Sequence, residues 1–166
     1  MALAISLYSA WNRCRSGDIV QAVNKARIPS SFMDIRNALH GTLVTTLVKL
    51  FDQSLTNASF RTVIADLKKG APSKELTRIE QHVQSVEQDS RFKALLRHRH
   101  TVLAHRAAKV RSSGAMFGDE GWLLKESKQI AHDLEWLARG NHANLDSHEK
   151  ARNQEADRFW SKIASA

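Results

Sequence analysis

The amino-acid sequence predicts an all-α fold, an up-and-down bundle of four to six helices. Apolar side chains recur at the three- and four-residue spacing of a helix along most of the 166 residues. No run of about four to eight residues alternates apolar and polar side chains as a half-buried strand would. With only two prolines and seven glycines, the chain has few of the turn residues that a many-stranded fold needs. The length suits one domain over residues 1–166, with a core bundle over 1–140 and an additional C-terminal helix over 141–166.

The first two predicted helices occupy the N-terminal third of the chain. Ser16-Gly17-Asp18 interrupts the first of them, and we expect a kink or a division there because Ser and Gly weaken a helix interior. Pro29 is expected to end this helix, so that Ser30 or Ser31 caps the next one. The second helix should run to about Asp52. Its apolar stripe is the most regular of the sequence and consists of Phe32, Ile35, Leu39, Leu43, Leu47 and Leu50.

A short third helix and a longer fourth one are expected in the middle of the chain. The third covers about 58–69 and ends at Gly70, and Pro72 suits the first turn of the fourth. The fourth helix is expected to break near 88–90. Its apolar stripe continues on both sides of that break as Leu76, Ile79, Val83, Val86, Phe92, Leu95, Leu96, Val102 and Leu103.

The C-terminal part of the chain is expected to form a loop and two more helices. Residues 110–121 hold three glycines and two serines, which is typical of a loop. The fifth helix follows and ends at Gly140, and Asp146 or Ser147 caps the last helix. The four tryptophans fall at helical spacing, so we expect them in the core or at a dimer interface. They are Trp11, Trp122, Trp136 and Trp160.

Positive charge is concentrated in one segment. The chain has 25 Lys and Arg against 17 Asp and Glu, a net charge of +8. Residues 91–111 carry seven of these net charges and no acidic residue. Such a patch attracts phosphate-rich partners such as RNA, although a solvated basic surface without a partner explains it almost as well.

The sequence offers no sign of a disulfide, a membrane span or a bound cofactor. Cys14 is the only cysteine, so an internal disulfide and a Cys-based zinc site are both excluded, as suits a reducing compartment. No apolar stretch approaches the roughly 18 residues of a membrane span, and the apolar start lacks a basic leader. We therefore expect a cytoplasmic protein with no membrane association, no metal and no cofactor.

Residues 97–106, with the sequence RHRHTVLAHR, carry the strongest chemical signal. Cleavage of RNA without a metal needs a base, an acid and a cation for the crowded phosphorus, and imidazole and guanidinium groups supply all three. On one helix, however, Arg99 and His105 would point about 120° apart and lie roughly 9 Å apart along the axis. A second copy of the chain could complete the pocket. A metal site made of the histidines is disfavoured because no carboxylate is near them in sequence.

These residues resemble the signature of HEPN domains, in which an Arg, a polar residue and a His follow one another at this spacing. The order of helices is also similar. The second-helix phrase from Arg36-Asn37-Ala38-Leu39 to Leu50-Phe51-Asp52 resembles the AbiU branch, which is linked to abortive infection. The resemblance covers residues 1–140, and the final helix is less typical.

The resemblance implies a metal-independent endoribonuclease, a toxin or phage-defence effector in which two protomers share a basic cleft. Arg99 would then bind the scissile phosphate, His105 would act as general acid or base, and His100 would orient its neighbours. An antitoxin protein is a further implied partner. Control through modification of a tyrosine just after the motif is doubtful, because Arg106 follows His105 and Tyr8 is the only tyrosine.

The other candidate residues have weaker assignments. Five basic or imidazole side chains near the motif are expected to contact the RNA backbone or to be plain surface charge: Arg97, His98, Arg106, Lys109 and Arg111. Arg36 and Asn37 either line the pocket or form the polar flank of their helix. The alternative function is a non-catalytic HEPN module that binds RNA, a nucleotide or a protein through the same cleft.

Overall fold

The computed structural model describes residues 1–54, 58–70, 73–100, 118–140 and 144–165. Over these ranges the protein is all-α, as predicted, and no strand occurs within them. Eight helices are described, two more than the upper limit expected, because the first and the fourth predicted helices are each divided. They are α1 (Ala2–Cys14), α2 (Gly17–Lys25), α3 (Pro29–Lys49), α4 (Phe60–Lys68), α5 (Lys74–Gln88), α6 (Ser90–His98), α7 (Asp119–Arg139) and α8 (Leu145–Ser165).

The first helix is divided where the sequence predicted, but α3 starts earlier in the chain than predicted. Ser16 adopts extended backbone between α1 and α2. Arg27 ends α2 in the left-handed conformation, with φ +57°, and the Ile28 N–H donates to the Val23 carbonyl at 3.3 Å to close a Schellman motif. Pro29 is then the first residue of α3 rather than the residue that separates two helices. Proline suits this position because the first N–H groups of a helix have no partner within it.

α3 buries a different face from the one predicted. Leu43 and Leu47 are buried as expected, but Ile35 is 52% exposed, and Val44 and Val48 join the buried set. The second half of α3 is therefore apolar over a wide arc, whereas a single leucine stripe was expected. The helix also ends at Lys49, short of the predicted end near residue 52.

Side-chain caps place the starts of three other helices. The Ser59 hydroxyl accepts the Thr62 N–H at 3.3 Å and caps α4. The Ser73 hydroxyl accepts the Leu76 N–H at 3.0 Å, so α5 begins at Lys74; the predicted role of Pro72 lies outside the described residues. The Asn144 amide oxygen accepts the Ser147 N–H at 3.2 Å, which corrects the prediction that Asp146 or Ser147 caps α8.

Both ends of α7 can be compared with the prediction. The helix begins at Asp119, three residues earlier than expected, and most of the predicted loop falls in 101–117, outside the described residues. At its other end, Gly140 has φ +69°, a conformation that glycine adopts without strain, and it stops the helix as predicted.

The described helices group into two compact units. The terminal unit consists of Ala2–Leu43 and Asn144–Ala166, so α8 packs with α1 and α2. Trp160 of α8 is buried in it; its indole N–H donates to the Ala10 carbonyl at 3.1 Å, and its ring meets the Phe32 ring edge-on at 5.9 Å. Arg13 pairs with carboxylates of α2 and α8 at the surface of this unit.

The central unit consists of Val44–Ala143 together with Met1 and contains the end of α3 and α4 to α7. The Phe51 ring packs against the rings of Phe60 and Phe92, with a centroid distance of 5.2 Å in each pair. The predicted stripe of α5 is buried as expected, and α7 buries a matching stripe. These two stripes are Leu76, Ile79, Val83 and Val86 on α5, and Leu123, Ile130 and Leu134 on α7.

The four tryptophans differ in how deeply they are buried. Trp11 and Trp160 lie in the core as predicted, Trp122 is half-buried, and Trp136 is 46% exposed.

Within the described ranges, none of the helices combines the length and the apolar character that crossing a bilayer requires.

The cap of α5 gives a stability test. Replacing Ser73 with Ala should lower the free energy of unfolding by about 1 kcal/mol, because the Leu76 N–H loses its acceptor at the helix start. Ser85 is the matched control, since it is exposed in the interior of the same helix and alanine is favourable there. Urea denaturation of both variants measures the difference, and an equal loss in the two would contradict the capping role.

Candidate functional site

α6, the helix whose C-terminal end carries the first residues of the motif, begins at a charged cap. The Asp89 carboxylate accepts the Arg91 backbone N–H at 2.8 Å and also binds the Arg91 guanidinium at 2.7 Å. These bonds hold the pKa of Asp89 at about 2, with the Arg91 guanidinium as the larger cause. In return, the carboxylate raises the pKa of Arg91. The break predicted near residue 89 is therefore a helix start with its own ion pair.

Two contacts orient α6 within the central unit. The Phe92 ring packs on Phe51 at 5.2 Å, and Leu95 is 1% exposed. The Arg91 guanidinium carbon lies 3.9 Å from the ring centroid of Trp122 on α7, a cation–π contact between the two helices. One face of α6 is thus buried at Phe92 and Leu95, and its first turn contacts α7 through Arg91.

The C-terminal end of α6 presents four consecutive candidate residues. Arg97 is exposed, His98 is half-buried, Arg99 is half-buried and His100 is exposed. Arg99 and His100 continue the chain as a π-type turn after the last α-helical residue. The end of α6 therefore carries two arginines and two histidines in succession, and the side chains of Arg97 and His100 are exposed to solvent.

Four of the predicted site residues lie outside the described residues. They are His105, Arg106, Lys109 and Arg111. The separation of Arg99 from His105, and with it the predicted catalytic pairing, stays a prediction. Groups of three or more potential metal ligands are absent from the ranges that the structure describes.

Arg36 and Asn37 belong to the terminal unit, whereas Arg99 belongs to the central unit. Arg36 is half-buried on α3 and its charge acts on the Cys14 thiol of α1; Asn37 is exposed. Their predicted role beside the motif stays a prediction.

An apolar cavity in the terminal unit is a feature that the sequence analysis missed. It measures about 490 Å³ and lies between α1, α3 and α8, with Ile35, Leu39, Phe159 and Ile163 among its lining residues. The partial exposure of Phe159, at 59%, and of Ile35 is explained by this cavity. Helical spacing marks these side chains as apolar, but it does not show that neighbouring helices leave space between them.

The chemical capacity of the α6 end follows from its residue types. A guanidinium binds phosphate oxygens through two parallel N–H donors, and an imidazole transfers protons near neutral pH. No acidic residue occurs between Arg91 and Arg111 in the sequence, whereas the carboxylates of Asp89, Asp119 and Glu126 act on Arg91 at the start of α6. Negative charge is therefore near the start of this segment and comes from outside it.

The chain matches the model of a known protein family. The model of the AbiU2 family of HEPN domains matches residues 2–159 of the chain. This confirms the resemblance inferred from the sequence, and it extends past residue 140 into most of α8. No curated protein and no solved structure matches the chain.

The Asp89 cap predicts a pH-dependent stability difference. Asp89→Asn keeps a capping oxygen but loses the charge, so it should be less stable than the wild type at pH 6. Because folding lowers this pKa, the stabilisation is present above the unfolded-state pKa of about 3.9 and is lost as pH falls through about 2. The wild type should therefore lose its advantage between about pH 4 and pH 2.

Urea denaturation at several pH values measures this difference. Asp66→Asn is the matched control, because Asp66 is exposed and its ion pair with Lys69, three residues away, is exposed as well, so the change should alter stability little. A difference between wild type and Asp89→Asn that stays constant from pH 6 to pH 2.5 would show that the charge of Asp89 does not support α6.

Proposed function

Because the chain belongs to the AbiU2 family of HEPN domains, we propose that it is a metal-independent endoribonuclease of a phage-defence or toxin system. The family makes it a HEPN module related to abortive infection, and the proposal adds the reaction. In this proposal it acts in the cytoplasm as a homodimer, on RNA, with an antitoxin protein as a further partner.

The observation that carries the proposal is the position of Arg99. Its half-buried guanidinium follows directly after α6, whose other end is fixed by Asp89 and whose face is fixed by Phe92. The backbone of Arg99 is the C-cap of this helix, so its guanidinium starts from an ordered part of the chain and can offer two parallel N–H donors to a scissile phosphate.

The proposed reaction needs only side chains of the chain itself. A general base takes the proton of a ribose 2′-hydroxyl, whose oxygen attacks the adjacent phosphorus; the bond to the 5′-oxygen breaks, and a general acid protonates that leaving oxygen. The products are a 2′,3′-cyclic phosphate and a 5′-hydroxyl. Arg99 binds the phosphate, His105 acts as base or acid, and a second copy supplies the other group. His100 orients its neighbours.

Cleavage of total RNA and tRNA in EDTA tests this function. The wild type should cleave, and Arg99→Ala and His105→Ala should each slow cleavage by about a hundredfold or more, as is usual when a phosphate cation or a general acid–base is lost. Arg139→Ala is the matched control, because Arg139 is exposed at the end of α7, and it should keep full activity.

Other outcomes of that assay contradict particular parts of the proposal. A folded dimer that binds RNA and does not cleave it would be the non-catalytic HEPN module. A monomer by light scattering that still cleaves would exclude the shared cleft. Cleavage that survives in both variants would place the reaction elsewhere in the chain.

Arg97 is expected to act in binding and not in the chemical step. Its side chain is exposed, as expected of a contact to the RNA backbone. Arg97→Ala should therefore weaken binding to RNA of any sequence, and the slope of log Kd against log salt concentration should fall by about one unit. The cleavage rate at saturating RNA should stay the same. Fluorescence anisotropy at several salt concentrations measures the slope, and a lower saturating rate with unchanged binding would assign Arg97 to catalysis.

A further inference from the structure

The apolar cavity of the terminal unit is created by small side chains on the helices around it. Ser6 and Ala10 lie one turn apart on α1, Ala156 lies on α8, and all three line the cavity. A leucine at any of these positions would occupy part of the space. Protein interiors are usually close-packed, so an apolar space of this size in a small helical unit is a candidate ligand site.

The lining of the cavity runs from a buried floor to an exposed rim. Val23, Phe32 and Trp160 line it and are buried. The rim consists of large apolar side chains that are partly exposed to solvent: Ile28, Ile35, Phe159 and Ile163. An apolar ligand would cover this rim and contact the floor, so it would remove apolar surface from water on both sides of the contact.

The polar groups next to the floor already have partners within the protein. The Ser6 hydroxyl donates to the Ala2 carbonyl at 3.1 Å, and the Trp160 indole N–H donates to the Ala10 carbonyl at 3.1 Å. These residues therefore offer an occupant mainly methylene and ring surface. A strongly polar ligand would lose its hydration here without compensating hydrogen bonds.

Two charged residues, Arg152 and Glu155, line the cavity as well. The Arg152 Nη1 donates to the Glu155 carboxylate at 2.5 Å, so their charges compensate each other. The Arg152 Nε is buried and has no hydrogen-bond partner within the described ranges. An uncharged acceptor oxygen beside Arg152 would satisfy this donor, whereas a carboxylate there would be repelled by Glu155.

The size of the cavity limits the length of its ligand. Its lining residues on α8 run from Arg152 to Ile163, roughly 16 Å at a rise of about 1.5 Å per residue. An extended chain advances about 3.5 Å for every three bonds, so an alkyl chain of about ten carbons spans most of this distance. The volume of about 490 Å³ is also typical of small-molecule sites.

We propose that this cavity binds an uncharged aliphatic compound, an alkyl chain of about ten carbons that ends in a ketone, ester or amide carbonyl. The chain lies on the apolar lining, and the carbonyl oxygen accepts the Arg152 Nε–H. The site lies within the terminal unit and uses no residue of the Arg99 motif, so it stands whether or not the chain cleaves RNA.

Calorimetry on the full chain with three small molecules tests the site. Methyl octyl ketone should bind. Methyl ethyl ketone has the same carbonyl and almost no chain, so it should give no measurable binding. Decanoate at about pH 8 has the chain and a negative charge, and it should bind at least about tenfold more weakly because its carboxylate meets Glu155.

A variant that fills the cavity locates the ligand. Ser6→Leu should weaken binding of methyl octyl ketone by at least about tenfold, because the new side chain occupies the site. Ser165→Leu is the matched control, since both hydroxyls donate to a carbonyl of their own helix at 3.1 Å and Ser165 is exposed outside the cavity. Thermal melts show whether each variant is folded.

The carbonyl contact is tested separately at Arg152. Arg152→Met keeps an apolar side chain and loses the donor, so methyl octyl ketone should bind about tenfold more weakly. Arg158→Met is the matched control, because Arg158 is exposed on the same helix outside the cavity. In NMR spectra of the wild type, the ketone should shift the indole N–H resonance of Trp160 and leave that of Trp136, in the central unit, unchanged.

Four results would overturn the proposal. They are no binding of methyl octyl ketone by the folded wild type, equal binding of decanoate, Ser6→Leu binding as tightly as Ser165→Leu, and Arg152→Met binding as tightly as Arg158→Met. If the ketone does not bind and a dimer seen by light scattering dissociates in Phe159→Ser, a second copy of the chain covers the cavity instead. Loss of RNA cleavage in the wild type would affect only the proposed function.

Discussion

The contact between Phe51, Phe60 and Phe92 is the interaction on which the central unit depends. These rings come from the segment after α3, from α4 and from α6, so their contacts join three separate parts of the chain. Edge-on and tilted packing of these rings is stabilised by the apolar area that it buries and by the electrostatic attraction between ring edges and ring faces. α6 has only nine residues and would be marginal alone, so its position is set by this packing.

The position of α6 in turn decides what its end can do. Asp89 and Arg91 fix the first turn, and Phe92 and Leu95 fix the buried face, so that Arg97 and His98 at the last turn are carried by a rigid element. A site on such an element is held more precisely than one on a free loop, which matters for phosphoryl chemistry that uses no metal. This rigidity links the packing of the central unit to the proposed reaction.

The sequence by itself determined the all-α class, the division at Ser16-Gly17, the break at Asp89 and the stop at Gly140. Each of these depends on local hydrogen bonding and backbone freedom, which neighbouring residues specify. It also indicated Arg99 and its neighbours, because the residues of the motif lie close together in sequence. The family assignment followed from the same residues.

Tertiary structure alone decided the features that join separate helices. Ile35 was expected in the core and lines a cavity, because the spacing of a helix shows which residues share a face but not what packs against that face. The stacking of the His40 ring of α3 on Trp11 of α1 was equally beyond the sequence. The contacts of a side chain on one helix depend on the approach of another helix, and that approach is set by the packing of the whole unit.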